Sequence, residues 1–560
     1  MQRQNIYIGV AWPYVNGDIH VGHLAGYLLP ADIFARFHRY IGNDVLMVSG
    51  SDCHGTPITV EAEKRGVSPQ EVVNLYHPKF QQLFDLYGIS FDLYTKTTTE
   101  NHRKVVQDLF VRLAKNGLIF KGKSKQFFSP EQNRFLPDRY VEGTCPHCGA
   151  KDTRSDQCDQ CGRVLNPEEL INPKSKLTGS PVELRETEHY YFDLPKLEGF
   201  LKDYVAKTGP NWRHWVYQET LGWLKRGLEP RCITRDLDWG IPIPVEQLPD
   251  SLKIKDAENK RIYVWFEAVI GYLSASIEWA NKTDRWQDFW YNPEAKHYYF
   301  MGKDNLVFHT LFWPAQLYGA YGEKIHLPDF PAINHFLDLE GQAFSKSRGI
   351  TVDSRYIGEK YGVDPVRFYL IWIMPEEADA SFSWSGFIET NNNVLIATFG
   401  NFLNRVLKLS QQLTSFSAED IEETTINQTK EQLDQAFSHL ASCQFKNYTQ
   451  TLVGLADWGN KYLNQTAPWT KERNSSEFKK IMTNALLVVL AINLAAEPLI
   501  PGSNKKLSQM LGIEISHWPK EGVGKYLTSF LPQIKITNPV PLFTKIDPGI
   551  AAKERAKLNL

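Results

Sequence analysis

Cysteine is scarce in this chain: there are seven in 560 residues, four of them clustered. So thin a supply excludes a disulfide scaffold and predicts a reducing, cytoplasmic setting. Net charge is nearly absent too. The 62 Lys and Arg against 64 Asp and Glu leave a formal charge of −2. The chain is therefore not a polycation that coats nucleic acid, and any such contact must come from local surfaces. Long hydrophobic runs are missing. The most apolar stretch, 485–496, contains Asn493 and is too short to span a bilayer, which predicts a core helix and no membrane partner. The first residues carry no signal-peptide core or small-residue cleavage site. There is no repeat of fixed period and no low-complexity block. With 42% hydrophobic and 22% charged residues, global disorder is excluded.

What is present begins as an α/β pattern. Residues 6–10 read as a buried strand, followed by a Pro13, Asn16, Gly17 loop and a helical stretch over about 19–40. A second apolar run, 45–48, ends in Gly50-Ser51-Asp52. Strand, loop, helix, strand is the pattern of a parallel sheet. From about 121 to 231 the chain is rich in Pro, Gly, Cys and Arg, which predicts an insertion. Strands are expected again at 261–265, 297–301 and 333–339, so the insertion interrupts one nucleotide-binding domain. Apolar residues at helical spacing over 394–413, 430–457 and 478–496 predict an all-α domain. Pro532, Pro539, Pro541 and Pro548 predict an extended tail.

Three motifs carry chemistry. His20-Val21-Gly22-His23 opens the first helix, with two histidines at i and i+3 on one face and a glycine that lets a flat group approach. A helix N-terminus offers N–H groups and a positive dipole end to phosphates. Taken alone, the motif reads first as a pair of ordinary surface histidines. Ser345-Lys346-Ser347 follows an expected strand and brings one cation and two hydroxyls, the equipment to hold a leaving pyrophosphate; taken alone, it reads first as a solvated loop. Cys145, Cys148, Cys158 and Cys161 form two CxxC pairs with Gly149 and Gly162 after them. Four thiolates make a closed tetrahedral site for one structural Zn²⁺, which braces an insertion poor in apolar residues.

In this order the motifs resemble those of class I aminoacyl-tRNA synthetases. The HIGH motif stands as His20-Val21-Gly22-His23 and the KMSKS motif as Ala343-Phe344-Ser345-Lys346-Ser347. The sequence is most similar to the methionyl branch, through Ala11-Trp12-Pro13-Tyr14-Val15-Asn16-Gly17, Asp52-Cys53-His54-Gly55-Thr56-Pro57-Ile58, Tyr263-Val264-Trp265-Phe266-Glu267-Ala268, Gly302-Lys303-Asp304, His309-Thr310-Leu311-Phe312-Trp313-Pro314 and Ala467-Pro468-Trp469. It departs at Ala343 and Phe344, which replace Lys and Met, and at Trp12 and Val269, where Leu and Pro are expected.

The resemblance implies a Rossmann-like parallel-sheet domain in two halves, 1–119 and 234–328, split by a zinc-knuckle insertion at 120–233. A stem-contact region (329–389), a helical anticodon-binding domain (390–530) and a tail (531–560) follow. It implies an ATP-dependent ligase whose partners are ATP with Mg²⁺, L-methionine, and initiator and elongator tRNA(Met). Methionine is expected at Ala11, Trp12, Tyr14, Asp52, Trp265, Ala268, Tyr272, Asp304 and His309. Trp313 is a further candidate wall, sharing a helix face with His309 at i, i+4. ATP is expected at His20, Gly22, His23, Ser345, Lys346 and Ser347, with His20, His23 and Lys346 catalytic. Asn393, Arg405 and Trp469 are expected at the anticodon. A chain ending near Leu560 with no appended tRNA-binding barrel predicts a monomer.

Overall fold

The computed structural model describes residues 3–137, 140–155, 158, 160–161, 165, 167–342, 344, 350–473 and 475–558. Five parallel strands form the central sheet: β1 (Asn5–Val10), β2 (Asp44–Ser51), β3 (Leu93–Lys96), β4 (Lys296–Gly302) and β5 (Phe330–Asn334), in the order β5-β4-β1-β2-β3. The central strand pairs Ile8 with both Met47 and Tyr298 and is covered on both faces, which is why it reads as a continuous apolar run. Chain direction across the sheet reverses between β1 and β4. In open parallel sheets, ligands bind beyond the strand C-termini at such a switch point. Residues 11–14, 52 and 302–304 lie there.

The insertion stands on a long antiparallel pair, Ile119–Ser129 with Glu183–Phe192. Its own apolar cluster is small: Phe127, Leu136, Tyr140, Val141, Leu165 and Leu170, with Cys145 and Cys158. The sheet domain resumes after it.

The expected strand at 261–265 is not in the sheet. Lys260–Ile262 pairs antiparallel with Thr234–Asp236, and Val264–Ala268 is helical. A five-residue apolar run does not distinguish strand from helix by period. The expected strand at 333–339 is two: β5 ends at Asn334, and Leu337–Leu339 joins Ala380–Phe382 in a separate ladder. The helical run at 430–457 is also two, Glu423–Ala441 and Phe445–Thr466, parted at Cys443, whose φ is +54°.

Ser476–Ala496 is long and apolar enough to cross a bilayer, yet it is the buried core of the helical domain. Its Asn493 bonds Asn504 and Ser508. The tail is not simply extended. Phe543 and Ile546 are buried, Asn391 and Asn392 hold its backbone at Thr544 and Ile546, and Ile550–Arg555 is helical.

One continuous helix, Val21–His23 through the π turn Leu24–Leu28 to Leu29–Tyr40, joins the sheet domain to the helical domain. Asp32 and Arg367 are both fully buried and pair at 2.8 Å. Arg367 also donates to the carbonyls of Tyr87, Pro498 and Leu499, and Arg36 bridges Asp32 and Glu497. Tyr40 donates to the Ile515 carbonyl.

Candidate functional site

A cavity of about 420 Å³ opens beyond the ends of β1, β2 and β4. Ala11, Trp12, Tyr14, His20, Gly22, His23, Asp52, Trp265, Ala268, Tyr272, Asp304 and His309 all line it. Sequence reasoning missed Tyr27, Phe308 and Asp338, which line it as well and carry no motif of their own.

At one end of the cavity the two histidines cap the helix. The Gly22 N–H donates to His20 Nδ1 (3.1 Å), and the His20 N–H donates to His23 Nδ1 (3.2 Å). Each ring accepts through Nδ1, so its neutral form carries the proton on Nε2, a donor suited to phosphate oxygen. A Cβ at position 22 would lie 2.9 Å from the His20 ring and 3.1 Å from Phe344. The glycine therefore lets the imidazole fold over the helix start. Phe344 stacks on His20 with centroids 4.3 Å apart. Ser345, Lys346 and Ser347 lie outside the described residues.

At the other end the floor is aromatic and neutral. The His309 Nδ1–H donates to the Asn305 carbonyl (3.0 Å), so Nε2 accepts the Tyr272 hydroxyl proton (2.8 Å). Burial pushes the His309 imidazole down to about 4, against that carbonyl bond. The Trp265 indole donates to the Tyr14 hydroxyl (2.6 Å) and packs on Phe308. Trp12 fits although it is larger than the expected Leu, because Gly50 and Gly271 present no Cβ to its indole.

Trp313 does not line the cavity. It is fully buried beneath the floor and donates to the Tyr299 hydroxyl. Trp313 opens the helix Trp313–Tyr321, directly after the π turn Phe308–Phe312.

Asp52 supplies the charge. It is 3% exposed. Burial and the nearby Glu267 carboxylate raise its pKa well above the usual range, against the His54 N–H that donates to Oδ1. A carboxyl in that condition gains most from an arriving cation, such as an ammonium group. Asp304 stands at the rim, after β4, where its carboxylate accepts from the Asn305 side chain.

In the insertion, the Sγ atoms of Cys145, Cys148, Cys158 and Cys161 all lie within 4.8 Å of one another. The pairs Cys145–Cys161 and Cys148–Cys158 stand at 3.9 and 3.6 Å. Four sulfurs about 2.3 Å from a tetrahedral zinc are spaced by about 3.8 Å. The donor set fits one structural Zn²⁺, and these distances are far too long for disulfides.

On the helical domain, Trp469 follows Pro468 at the end of Phe445–Thr466 and is 51% exposed. The Arg405 guanidinium lies 5.0 Å from its ring centroid. Asn393 sits 12 positions before Arg405, on the π-wound run Thr390–Gly400 that leads into the helix Asn401–Ser410. Exposed Asn401, one turn before Arg405, shares its face. Helical spacing was the signal that would have selected it. Lys471 and Lys480 pair with Glu477 and Glu422.

Comparison with known proteins agrees with this geometry. A profile for tRNA synthetases class I (M) matches residues 6–407, and one for the anticodon binding domain of methionyl tRNA ligase matches 415–558. The chain is 42% identical to the methionine–tRNA ligase of Roseiflexus sp. (strain RS-1), covering 99% of both chains. It is 43% identical to that of Dehalococcoides mccartyi, covering 100% of both. Its fold is similar to that of the Mycobacterium tuberculosis methionyl-tRNA synthetase solved with methionyl-adenylate, with a TM-score of 0.76, 24% identity and coverage of 96% of this chain and 99% of that one. With its parallel sheet, its insertion and its helical C-terminal domain, the chain belongs to the methionyl family of class I aminoacyl-tRNA synthetases.

Proposed function

We propose that the chain is a methionine–tRNA ligase. A methionine carboxylate oxygen attacks the α-phosphorus of ATP, the bond to the β-phosphate breaks, and methionyl-adenylate and pyrophosphate form. A hydroxyl of the terminal adenosine of tRNA(Met), the 2′-hydroxyl by family resemblance, then attacks the methionyl carbonyl and AMP leaves. Positioning and charge stabilisation supply the rate.

The observation that carries this reading is one cavity with an uncharged aromatic floor, one buried carboxylate and a histidine-capped helix start. Tyr272, neutral His309, Trp265 and Tyr14 offer polarizable contact to a thioether, at roughly 0.3–1.5 kcal/mol per sulfur–aromatic contact. Asp52 takes the ammonium group. His20 and His23 donate to the phosphates. Lys346, with Ser345 and Ser347, holds the departing pyrophosphate, and Mg²⁺ accompanies ATP. The four cysteines hold zinc in a bracing role. Arg405, Trp469 and Asn401 read the anticodon of initiator and elongator tRNA(Met) alike. The expected working form is a cytoplasmic monomer.

Pyrophosphate exchange run with each of the twenty amino acids tests the reading. Methionine should dominate; exchange driven better by leucine, isoleucine or valine would overturn it.

A further inference from the structure

Behind the wall that Trp265 and Ala268 present to the cavity lies an acidic side chain that touches no substrate in the reaction above, although its charge reaches Asp52. Glu267, on the helix Val264–Ala268, is fully buried. Its Oε1 accepts from His54 Nδ1 at 2.7 Å. Its Oε2 lies 3.7 Å from His102 Nε2, and His102 Nδ1 contacts the Ser274 hydroxyl at 2.8 Å. A buried carboxylate is retained only where partners offset its desolvation, and here burial, which opposes ionisation, is outweighed by the two histidines, so the net direction is down.

The partners belong to different walls of the cavity. His54 lies two residues past Asp52, and its backbone N–H donates to Asp52 Oδ1. The intervening Cys53 is pinned by Thr97 and by the Trp239 indole. The Glu267–His54 bond thus ties the segment that carries Asp52 to the helix that carries Trp265. A ligand with an ammonium group on one wall and an apolar side chain on the other senses the separation of those walls. Nucleotide bound at the His20 and His23 end does not.

We propose that Glu267 is a positioning residue for the amino-acid substrate: through His54 it fixes the spacing between the Asp52 wall and the Trp265 wall. The proposal rests on the cavity accepting an amino acid, and it deepens that reading by naming what holds the pocket to length.

Glu267→Ala and Glu267→Gln, assayed by pyrophosphate exchange with thermal unfolding on the same preparations, test it. Glu267→Ala should raise the amino-acid KM by roughly 10- to 100-fold, the order expected when a reacting group is misplaced by about an ångström, and leave the ATP KM within about threefold. Glu267→Gln keeps an acceptor for His54 Nδ1 and should stay within about threefold in both. A purely structural role predicts otherwise: both KM values would move together with the melting temperature, and that result overturns the proposal, as does an unchanged amino-acid KM in Glu267→Ala. If Glu267→Ala does not fold, His54→Ala cuts the same bond from the other side. It should show the same selective rise, and a wild-type amino-acid KM there overturns the proposal equally. The wild-type enzyme separates the two readings. Exchange that prefers another amino acid refutes methionine as substrate, while the variant-to-wild-type ratios, read with whichever amino acid is activated, still decide the role of Glu267.

Discussion

Replacing Trp469 by alanine should divide the two half-reactions. A buried tryptophan lost to alanine costs about 3–5 kcal/mol through the cavity it leaves. Trp469 is half exposed and its described ring contact is the Arg405 guanidinium at 5.0 Å, a cation–π pair worth about 0.5–1 kcal/mol at such a site. For a chain of this size that corresponds to a melting shift within about 3 °C. An unpaired base stacked on the indole is worth roughly 1–3 kcal/mol. At RT of about 0.59 kcal/mol the loss is about 5- to 150-fold in kcat/KM for tRNA, if the stack persists in the transition state. Methionine-dependent pyrophosphate exchange, which needs no RNA, should be unchanged. Exchange, aminoacylation and thermal unfolding are to be measured on one preparation. Parallel loss of all three would refute the reasoning and make the indole a packing element. Unchanged aminoacylation would put the anticodon elsewhere.

Metal analysis of chelator-treated protein should find one zinc per chain, and Cys145→Ser should lose it and loosen the insertion while leaving the sheet domain folded; unchanged metal content would contradict the tetrathiolate site. Lys346→Ala should slow adenylate formation by about 10²- to 10³-fold with methionine Kd within a few-fold, measured by single-turnover kinetics; equal losses in both would mean ground-state positioning. Gly22→Ala places a methyl 2.9 Å from the His20 ring and should displace that imidazole, lowering kcat for exchange by about tenfold or more with little change in methionine KM. Activity equal to wild type would mean that the folded-over ring is dispensable.

How much of this was legible in the sequence depends on how local each signal is. The histidine motif and the paired cysteines were legible because their chemistry requires fixed spacing on a short segment. The cavity residues Ala11, Trp12, Tyr14, Asp52, Trp265, Ala268, Tyr272, Asp304 and His309 were legible through family resemblance, and they meet beyond the ends of β1, β2 and β4. Glu267 stayed unread because its partners, His54 and His102, are brought to it only by tertiary packing. Trp313 shares a helix face with His309, but that face runs from the cavity into the core: His309 lines the cavity while the indole is fully buried beneath it. Asn401 is legible only through helical phase, one turn before Arg405, which residue type alone does not supply. The tail was called extended on its prolines, yet Phe543, Ile546 and Glu554 are buried, and tertiary contacts overrode local preference.

The helix ending at Tyr40 starts under the nucleotide end of the cavity and finishes inside the contact with the helical domain. Opening that contact would break the Arg36–Glu497 ion pair and strip the fully buried Arg367 of the Pro498 and Leu499 carbonyls, and leaving a buried charge short of partners is strongly destabilising. The protein then behaves as a caliper with its jaws set. A tRNA whose stem is lengthened by two base pairs should charge poorly even with an intact anticodon, and normal charging would show that the jaws can spread. Molecular length thereby becomes a recognition element that requires no contact with any base, and the elastic work of fitting falls on the RNA.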